Sequence, residues 1–191
     1  RTLGRNDMAA FGQLQMTVPV QDIESNQSHV CAIAGSSSDE IWCWGDNEFG
    51  QLGDANQPTG RSLPTEVSIG VSGPLWSKIS TGVRHTCALT SSGALWCWGD
   101  NRQAQVLGGS SGGQGAFLSP TQVQTDKVWI DVVAHYASTC AINNQNRLYC
   151  WGYGEVEYDF AFLNPSLSGS NYPHPTYGTA SGAWQKLHGA Q

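Results

Sequence analysis

Short runs of hydrophobic residues alternate with polar residues at a period of two along most of the chain, and Gly, Ser and Asn separate the runs. Runs of this kind, rich in aromatic and β-branched residues, predict strands rather than helices. Three pairs of runs share one pattern, in which a Cys-Ala-aliphatic segment precedes an aliphatic-aromatic-Cys-Trp-Gly segment. The first cysteines of the three patterns are Cys31, Cys87 and Cys140. The pattern therefore predicts an all-β protein built from repeats.

The repeat length predicts the domain organisation. The tryptophans that end the pattern, Trp44, Trp98 and Trp151, are 54 and 53 residues apart, a period that indicates one supersecondary unit per repeat. We expect one domain over residues 1–191. It divides into a blade remnant at 1–19, blades at about 20–74, 75–127 and 128–182, and the start of a next blade at 183–191.

Each repeat contains a predicted hairpin whose register follows from its loop. In the second repeat, a three-residue loop at 91–93 places Gly93 where a left-handed backbone is needed. Cys87 then lies opposite Cys97, and Ala88 lies opposite Trp96. The other two hairpins keep this register although their loops differ, with Asn146 in the left-handed position of the third loop.

Both faces of each predicted sheet are apolar. One face carries the Cys pair and an aliphatic pair, and the other carries small residues opposite aromatic ones. A β-sandwich would leave one face of each sheet polar, whereas the stacked blades of a β-propeller are covered on both faces. The prediction is a propeller of four-stranded antiparallel blades. The tryptophans expected to be buried between the blades are Trp42, Trp44, Trp96, Trp98 and Trp151.

The six cysteines occupy the same two positions in all three repeats, so the predicted register leaves none of them unpaired. Cross-strand neighbours at a non-hydrogen-bonded position lie close enough for a disulfide bond. The expected disulfides are Cys31–Cys43, Cys87–Cys97 and Cys140–Cys150, and they imply an oxidising compartment. The alternative is buried, reduced cysteine in a reducing compartment. The Cys-x2-Cys spacing typical of a zinc site does not occur in the sequence.

These residues resemble a known repeat family. The segments His85–Leu89, Leu95–Asn101 and Phe49–Gly53 are similar to the repeat of the regulator of chromosome condensation superfamily. The paired cysteines resemble its secreted variants, in bacterial extracellular repeat proteins and in the ectodomains of crinkly-type plant receptor kinases. The resemblance covers most of residues 11–191 and weakens after Trp151. It implies a seven-bladed propeller, of which this chain would be about half, as a fragment of a longer protein.

Composition and charge narrow the expected partners. The chain carries 9 Lys and Arg against 15 Asp and Glu, a net charge of −6, which argues against a nucleic-acid partner because nucleic-acid-binding faces are basic. No hydrophobic run approaches the length of a membrane span, so we expect no membrane insertion by this segment. The paired cysteines also argue against the nuclear exchange activity found in the family. A plant photoreceptor of the family absorbs light through the Trp of Gly-Trp-Arg-His-Thr motifs, and Val83 stands in that position here, which argues against photoreception.

Catalytic chemistry is not indicated by any motif. His29 and His85 share one repeat position, which favours a structural role, while His135, His174 and His188 share no motif. The sequence contains no nucleophile–base arrangement, phosphate loop or zinc-protease motif of a known type. We therefore expect no enzymatic activity, no metal and no cofactor.

Two local features are candidate sites. Asn26 begins an Asn-Gln-Ser sequon for N-glycosylation, expected at a surface turn. Glu155, Glu157 and Asp159 form an acidic cluster among aromatic residues. This cluster is either a loop that binds calcium or a partner, or an irregular insertion that packs its own aromatic side chains.

The resulting hypothesis is a secreted or cell-surface β-propeller, stabilised by disulfides, that binds a protein or a glycan. A structural unit of a surface or filamentous assembly, in which copies of the chain contact each other, is the first alternative. An enzyme whose site lies in another part of the protein is the second.

Overall fold

The computed structural model describes residue 16, residues 18–37, 40–67, 75–108 and 115–153, and the backbone of 172–177. These residues form strands joined by turns and loops, and no helix occurs among them. The strands form three four-stranded antiparallel sheets, each built from strands that are consecutive in the chain. The all-β prediction and the four-stranded antiparallel blades are confirmed.

Each sheet follows the repeat. The first sheet contains β1 (Val20–Asn26), β2 (His29–Ala34), β3 (Glu40–Gly45) and β4 (Arg61–Glu66). The second contains β5 (Trp76–Thr81), β6 (His85–Thr90), β7 (Leu95–Asp100) and β8 (Ala116–Val123). The third contains β9 (Trp129–His135), β10 (Ser138–Asn143), β11 (Leu148–Gly152) and β12 (Tyr172–Tyr177).

The hairpin registers agree with the sequence prediction in all three sheets. Cys87 pairs with Cys97 and Ala88 with Trp96 in the second sheet, and the first and third sheets repeat the pairing. The predicted left-handed positions are also confirmed, because φ is +85° at Gly93 and +57° at Asn146. A register shift of one residue would move every side chain to the opposite face, so these two turns help to fix which residues face the core.

All six cysteines are paired in disulfides within their own sheets, as Cys31–Cys43, Cys87–Cys97 and Cys140–Cys150. The Cα atoms of the pairs are 4.2, 4.1 and 4.1 Å apart. Such short separations are typical of opposed residues that do not exchange backbone hydrogen bonds. Each disulfide therefore joins the two central strands of one sheet.

In each sheet, one face carries the cysteine pair, such as Cys87 and Cys97, and the other carries the tryptophans, such as Trp96 and Trp98; we call them the cysteine face and the tryptophan face. The cysteine face of one sheet packs on the tryptophan face of the next. Cys31 and Ile33 of the first sheet share a buried cluster with Ile79 and Trp98 of the second. The second and third sheets repeat the contact, with Cys87 and Leu89 against Val132 and Trp151. Burial of apolar area at these two repeated interfaces is the main stabilising contribution between sheets.

The five tryptophans expected to be buried differ in degree. Trp98 and Trp151 are fully buried, and Trp42, Trp44 and Trp96 are partly buried. Trp42 and Trp44 lie on the tryptophan face of the first sheet. Trp96 packs against the cluster that contains Trp98.

Several predicted segments fall partly or wholly outside the described residues. Nearly all of the blade remnant at 1–19 and the whole blade start at 183–191 lie there. The blade number of a complete ring stays a prediction.

Mapping disulfides in the unreduced protein by mass spectrometry should recover only the three pairs within repeats. Each disulfide closes a short loop, with sequence separations of 12, 10 and 10 residues, so in the chain-entropy account each stabilises the folded chain by about 2 to 3 kcal/mol. Replacing both Cys87 and Cys97 with Ala should lower the free energy of unfolding by that amount. Replacing the exposed Ser91 of the same hairpin with Ala is the control and should change little. Free thiols, or a pair that joins two repeats, would contradict this assignment.

Candidate functional site

Of the candidate site residues predicted from the sequence, the structure describes Asn26 but not the acidic cluster. Glu155, Glu157 and Asp159 lie outside the described residues. The Asn26 side chain lies at the turn between β1 and β2, and its Nδ2 atom donates a hydrogen bond to the Thr81 carbonyl of the second sheet at 3.1 Å. Since Nδ2 is the atom that a glycan would modify, the folded chain places this atom in a contact between sheets. Glycosylation of Asn26 stays a prediction.

The two repeat histidines bridge neighbouring sheets. His29 Nε2 lies 2.8 Å from the Thr86 hydroxyl, which donates its hydrogen to the Gln51 carbonyl at 2.8 Å. The hydroxyl has one hydrogen, so it must accept from His29, and the histidine proton is therefore on Nε2. The same chain of hydrogen bonds recurs one repeat later, from His85 to Thr139 and on to the Gln105 carbonyl, at 2.9 and 2.7 Å.

Both histidines are buried and electrically neutral in this arrangement. Burial lowers the pKa of His29 from 6.5 to about 4, and the nearby Asp46 carboxylate opposes part of the shift. Burial likewise lowers the pKa of His85 to about 3, with a smaller contribution in the same direction from His29. Buried histidines held between sheets by threonine hydroxyls are structural groups, as their shared repeat position indicates.

The functional candidate is one rim of the stack, formed by the turns after β1, β5 and β9 and by the segments that follow β3, β7 and β11. Within each sheet, one backbone hydrogen bond joins the turn to the end of the third strand or to the residue that follows it. These bonds run from Asp46 N to Ser28 O, from Asp100 N to Arg84 O and from Tyr153 N to Ala137 O, at 2.9, 2.8 and 2.9 Å. The rim is thus a set of short segments tied to rigid sheets, an arrangement common in binding proteins.

Two guanidinium groups on this rim lie over the same aromatic ring. The Arg84 and Arg102 Cζ atoms lie 4.4 and 4.3 Å from the centroid of the Phe49 ring. Phe49 belongs to the segment after β3, and both arginines belong to the second sheet, so the stack joins two repeats. Each contact is a cation–π interaction. Asp100 holds Arg102 in place through bonds of 2.9 Å to Nε and 2.7 Å to Nη2, and this hydrogen bonding raises the pKa of Arg102.

A cavity of about 570 Å³ opens on the rim beside this stack. Its size is within the range of small-ligand and peptide-side-chain pockets. The lining combines two arginines, three glutamines and two tyrosines with smaller groups: Gln27, Val83, Arg84, Asp100, Arg102, Gln103, Gln105, Tyr136, Ala137 and Tyr153. We call this the rim cavity.

Tyr136 is the most exposed aromatic residue of the rim cavity, with 57% of its surface accessible. It lies in the turn between β9 and β10 with φ at +34°, a backbone conformation that side-chain-bearing residues rarely adopt. Its carbonyl accepts a hydrogen bond of 3.1 Å from Val83 N in the neighbouring sheet. The surrounding structure therefore holds the turn in an unfavourable conformation that presents a tyrosine ring to solvent, a feature often found at functional sites.

Sequence reasoning did not find the rim cavity. Its residues come from positions where the repeats differ, such as Arg84, for which the neighbouring repeats have Ser28 and Ala137. The repeat pattern draws attention to shared positions, which here are structural. Comparing the turns between repeats is the signal that would have pointed to the rim.

In the part of the chain that the structure describes, no three His, Cys, Asp or Glu side chains come together in a way that could hold a metal ion. Within the same residues there is no helix with the length and apolarity needed to cross a bilayer.

Comparison with protein families finds one repeat. A model of the regulator of chromosome condensation (RCC1) repeat matches residues 20–51 and 76–105, and a second model of that repeat matches residues 38–89.

Individual relatives and structures agree with this match. The ultraviolet-B receptor UVR8 of Arabidopsis thaliana is 34% identical over 124 residues, which are 64% of this chain and 27% of UVR8. Human protein RCC2 is 27% identical over 146 residues, covering 74% of this chain and 27% of RCC2. The crystal structure of Prp20p from Saccharomyces cerevisiae superposes with a TM-score of 0.70 at 22% identity, over 85% of this chain and 39% of Prp20p. The chain has the fold of the matching part of Prp20p, and it spans well under half of the length of each of these three proteins.

Proposed function

The chain carries repeats of the regulator of chromosome condensation (RCC1) family in the form of β-propeller blades, and on that premise we propose that it is a protein-binding module whose contact surface is the rim. The rim cavity is the observation that carries the proposal, because its lining includes the two arginines that stack on Phe49 and the exposed Tyr136. Arginine and tyrosine are enriched among the residues that dominate binding energy at protein interfaces.

The rigidity of the sheets below the rim supports this role. Each blade has a disulfide between its two central strands, and neighbouring blades are joined by the His–Thr–carbonyl hydrogen bonds. A preorganised surface loses less conformational entropy when it binds a partner. Prp20p, which has the same fold, is described as having binding properties towards Gsp1p and histones. That precedent favours protein partners over glycans for this rim.

We further propose that the chain works outside the cell or at its surface. The support is that all six cysteines are paired, since persistent structural disulfides form in oxidising compartments.

Site-specific photocrosslinking tests the rim as the contact surface. A photoreactive benzoylphenylalanine in place of Tyr136 should yield a discrete adduct with another protein from the native source. The same residue in place of Leu63, which is 65% exposed on the outer strand β4, is the control and should yield none. Adducts from Leu63 alone, or equal adducts from both positions, would contradict the proposal. Adducts between copies of the chain would favour the assembly function.

A further inference from the structure

The three blades meet at two equivalent interfaces. The rim cavity lies at the second interface, where the large side chains that fill the same place at the first interface are missing. At the first interface, Arg84 covers the Phe49 ring at 4.4 Å. One repeat later the corresponding residues are Ala137 and Gln103, and both line the cavity. An alanine and an amide replace a guanidinium and an aromatic ring, so the second interface is left open to a ligand that brings its own side chain.

Arg84 and Arg102 lie at the opening together with the Asp100 carboxylate, and Glu48 lies near Arg102, so the preference for an anionic group rests on Arg84. Arg102 is neutralised by Asp100, whose carboxylate is 5% exposed and accepts two hydrogen bonds from the guanidinium. Arg84 is exposed, and no carboxylate pairs with it among the residues that the structure describes. One cation on the wall is therefore available to a ligand, in a chain whose net charge is −6. A guanidinium holds a carboxylate through paired, charge-assisted hydrogen bonds.

The aromatic lining of the rim cavity matches a peptide that carries such a carboxylate. Tyr136 and Tyr153 both line the cavity, and Tyr136 is 57% exposed. Its ring gives a side chain next to the carboxylate an aromatic surface to pack on.

We propose that the rim cavity binds an acidic peptide segment of a partner protein, in which an Asp or Glu carboxylate pairs with Arg84 and a neighbouring side chain packs on Tyr136. This inference rests on the proposed protein-binding function and specifies its partner chemistry. Arg84 is the main specificity residue, because its charge distinguishes a carboxylate from the amide of the same shape.

The test uses the whole chain and two labelled peptides, read by fluorescence anisotropy. One peptide is rich in Glu with a single Tyr, and the other has Gln in place of every Glu. The acidic peptide should bind at least about tenfold more tightly than the amide peptide, and R84Q should lower its affinity by about tenfold, as expected for a lost charge-assisted contact. The matched control is R147Q, which removes the same charge from the exposed turn between β10 and β11 and should leave binding unchanged.

Further variants separate binding from folding. R84K keeps the charge without the planar fork and should retain an intermediate affinity. Y136G relieves the backbone strain at φ +34°, so it should fold at least as well as the wild type while binding the acidic peptide more weakly. Equal binding of the two peptides, or equal effects of R84Q and R147Q, would overturn the proposal. So would preferential binding of sialylated glycans. Any of these outcomes, combined with a protein adduct from a photoreactive residue at position 136, would leave the proposed protein-binding function standing. Only the assignment of an acidic partner would then be removed.

Discussion

Between pH 6.5 and pH 4 the folded chain should lose about 6 kcal/mol of stability from two side chains alone. His29 and His85 are neutral in the folded state, with pKa values lowered to about 4 and about 3 by burial. In the unfolded chain both return to about 6.5. As the pH falls through this window, the unfolded state takes up two protons that the folded state does not, so each histidine contributes a loss of about 3 kcal/mol by pH 4.

The direction of this effect follows from the lowered folded-state pKa values. Stability from a neutral, buried histidine is fully present above the unfolded pKa of about 6.5 and decreases as the pH approaches the folded value. A loss of this size is comparable to the whole stability of many domains, which is about 5 to 15 kcal/mol. The chain should therefore unfold in mild acid, and the interfaces that His29 and His85 bridge should separate in the process.

Urea unfolding measured at several pH values, with the disulfides intact, checks this expectation. The free energy of unfolding should fall by up to about 2.7 kcal/mol per pH unit between pH 6 and pH 5, the slope for two protons. Replacing His29 with Gln should lower stability at pH 7 and also halve the slope, which a merely structural defect would not do. Burial and Asp22 raise the pKa of Glu24, so its protonation increases stability as the pH falls, opposite to the histidines. This contribution is present in both the wild type and the variant, so the difference between their slopes reports His29 alone. A slope that is the same in the wild type and the variant would contradict the assignment.

Replacing Trp98 with Ala should destabilise the chain by about 4 kcal/mol, in the range of large-to-small core substitutions. The Trp98 ring is fully buried between the first and second sheets. Its Nε1 donates to the Gln51 carbonyl at 2.9 Å, the same oxygen that accepts from Thr86. The segment after β3 closes on the ring at Gly53, where φ is +72° and an added Cβ atom would lie 2.7 Å from Nε1. The cavity left by the variant could not close easily, because the surrounding backbone is fixed by these contacts.

Trp96 provides the matched control in the same strand. It is half-buried and packs at the margin of the cluster that contains Trp98. Replacing Trp96 with Ala should cost roughly half as much or less, measured by the same urea unfolding at pH 7. Equal losses for the two variants, or a change below about 1 kcal/mol for Trp98, would show that the interface between the first two sheets contributes less than its burial indicates.

The parts of the structure that sequence reasoning predicted are those that the repeats share. The cysteine pairs, Gly93 and Asn146 define one register, and a pattern that occurs three times leaves few alternative pairings. The rim cavity depends instead on how side chains from different repeats meet, as Phe49 does with Arg84. Nothing in the local sequence of either residue shows that the other lies above it. Trp44 is less buried than Trp98 for a related reason, because its environment depends on what contacts the first sheet rather than on its own repeat.

The placement of the disulfides also determines how the chain would respond to a pulling force. Each one lies inside a blade and none joins two blades, so tension applied along the chain can separate the blades without breaking a covalent bond. The residues between the paired cysteines are shielded from the force, because the load passes through the sulfur atoms. With separations of 12, 10 and 10 residues, Cα–Cα spans of about 4 Å across each disulfide and about 3.4 Å of extended length per residue, the three disulfides shorten the fully stretched chain by about 95 Å. An oxidised chain is thus a tether of limited length, and reduction would lengthen it by that amount.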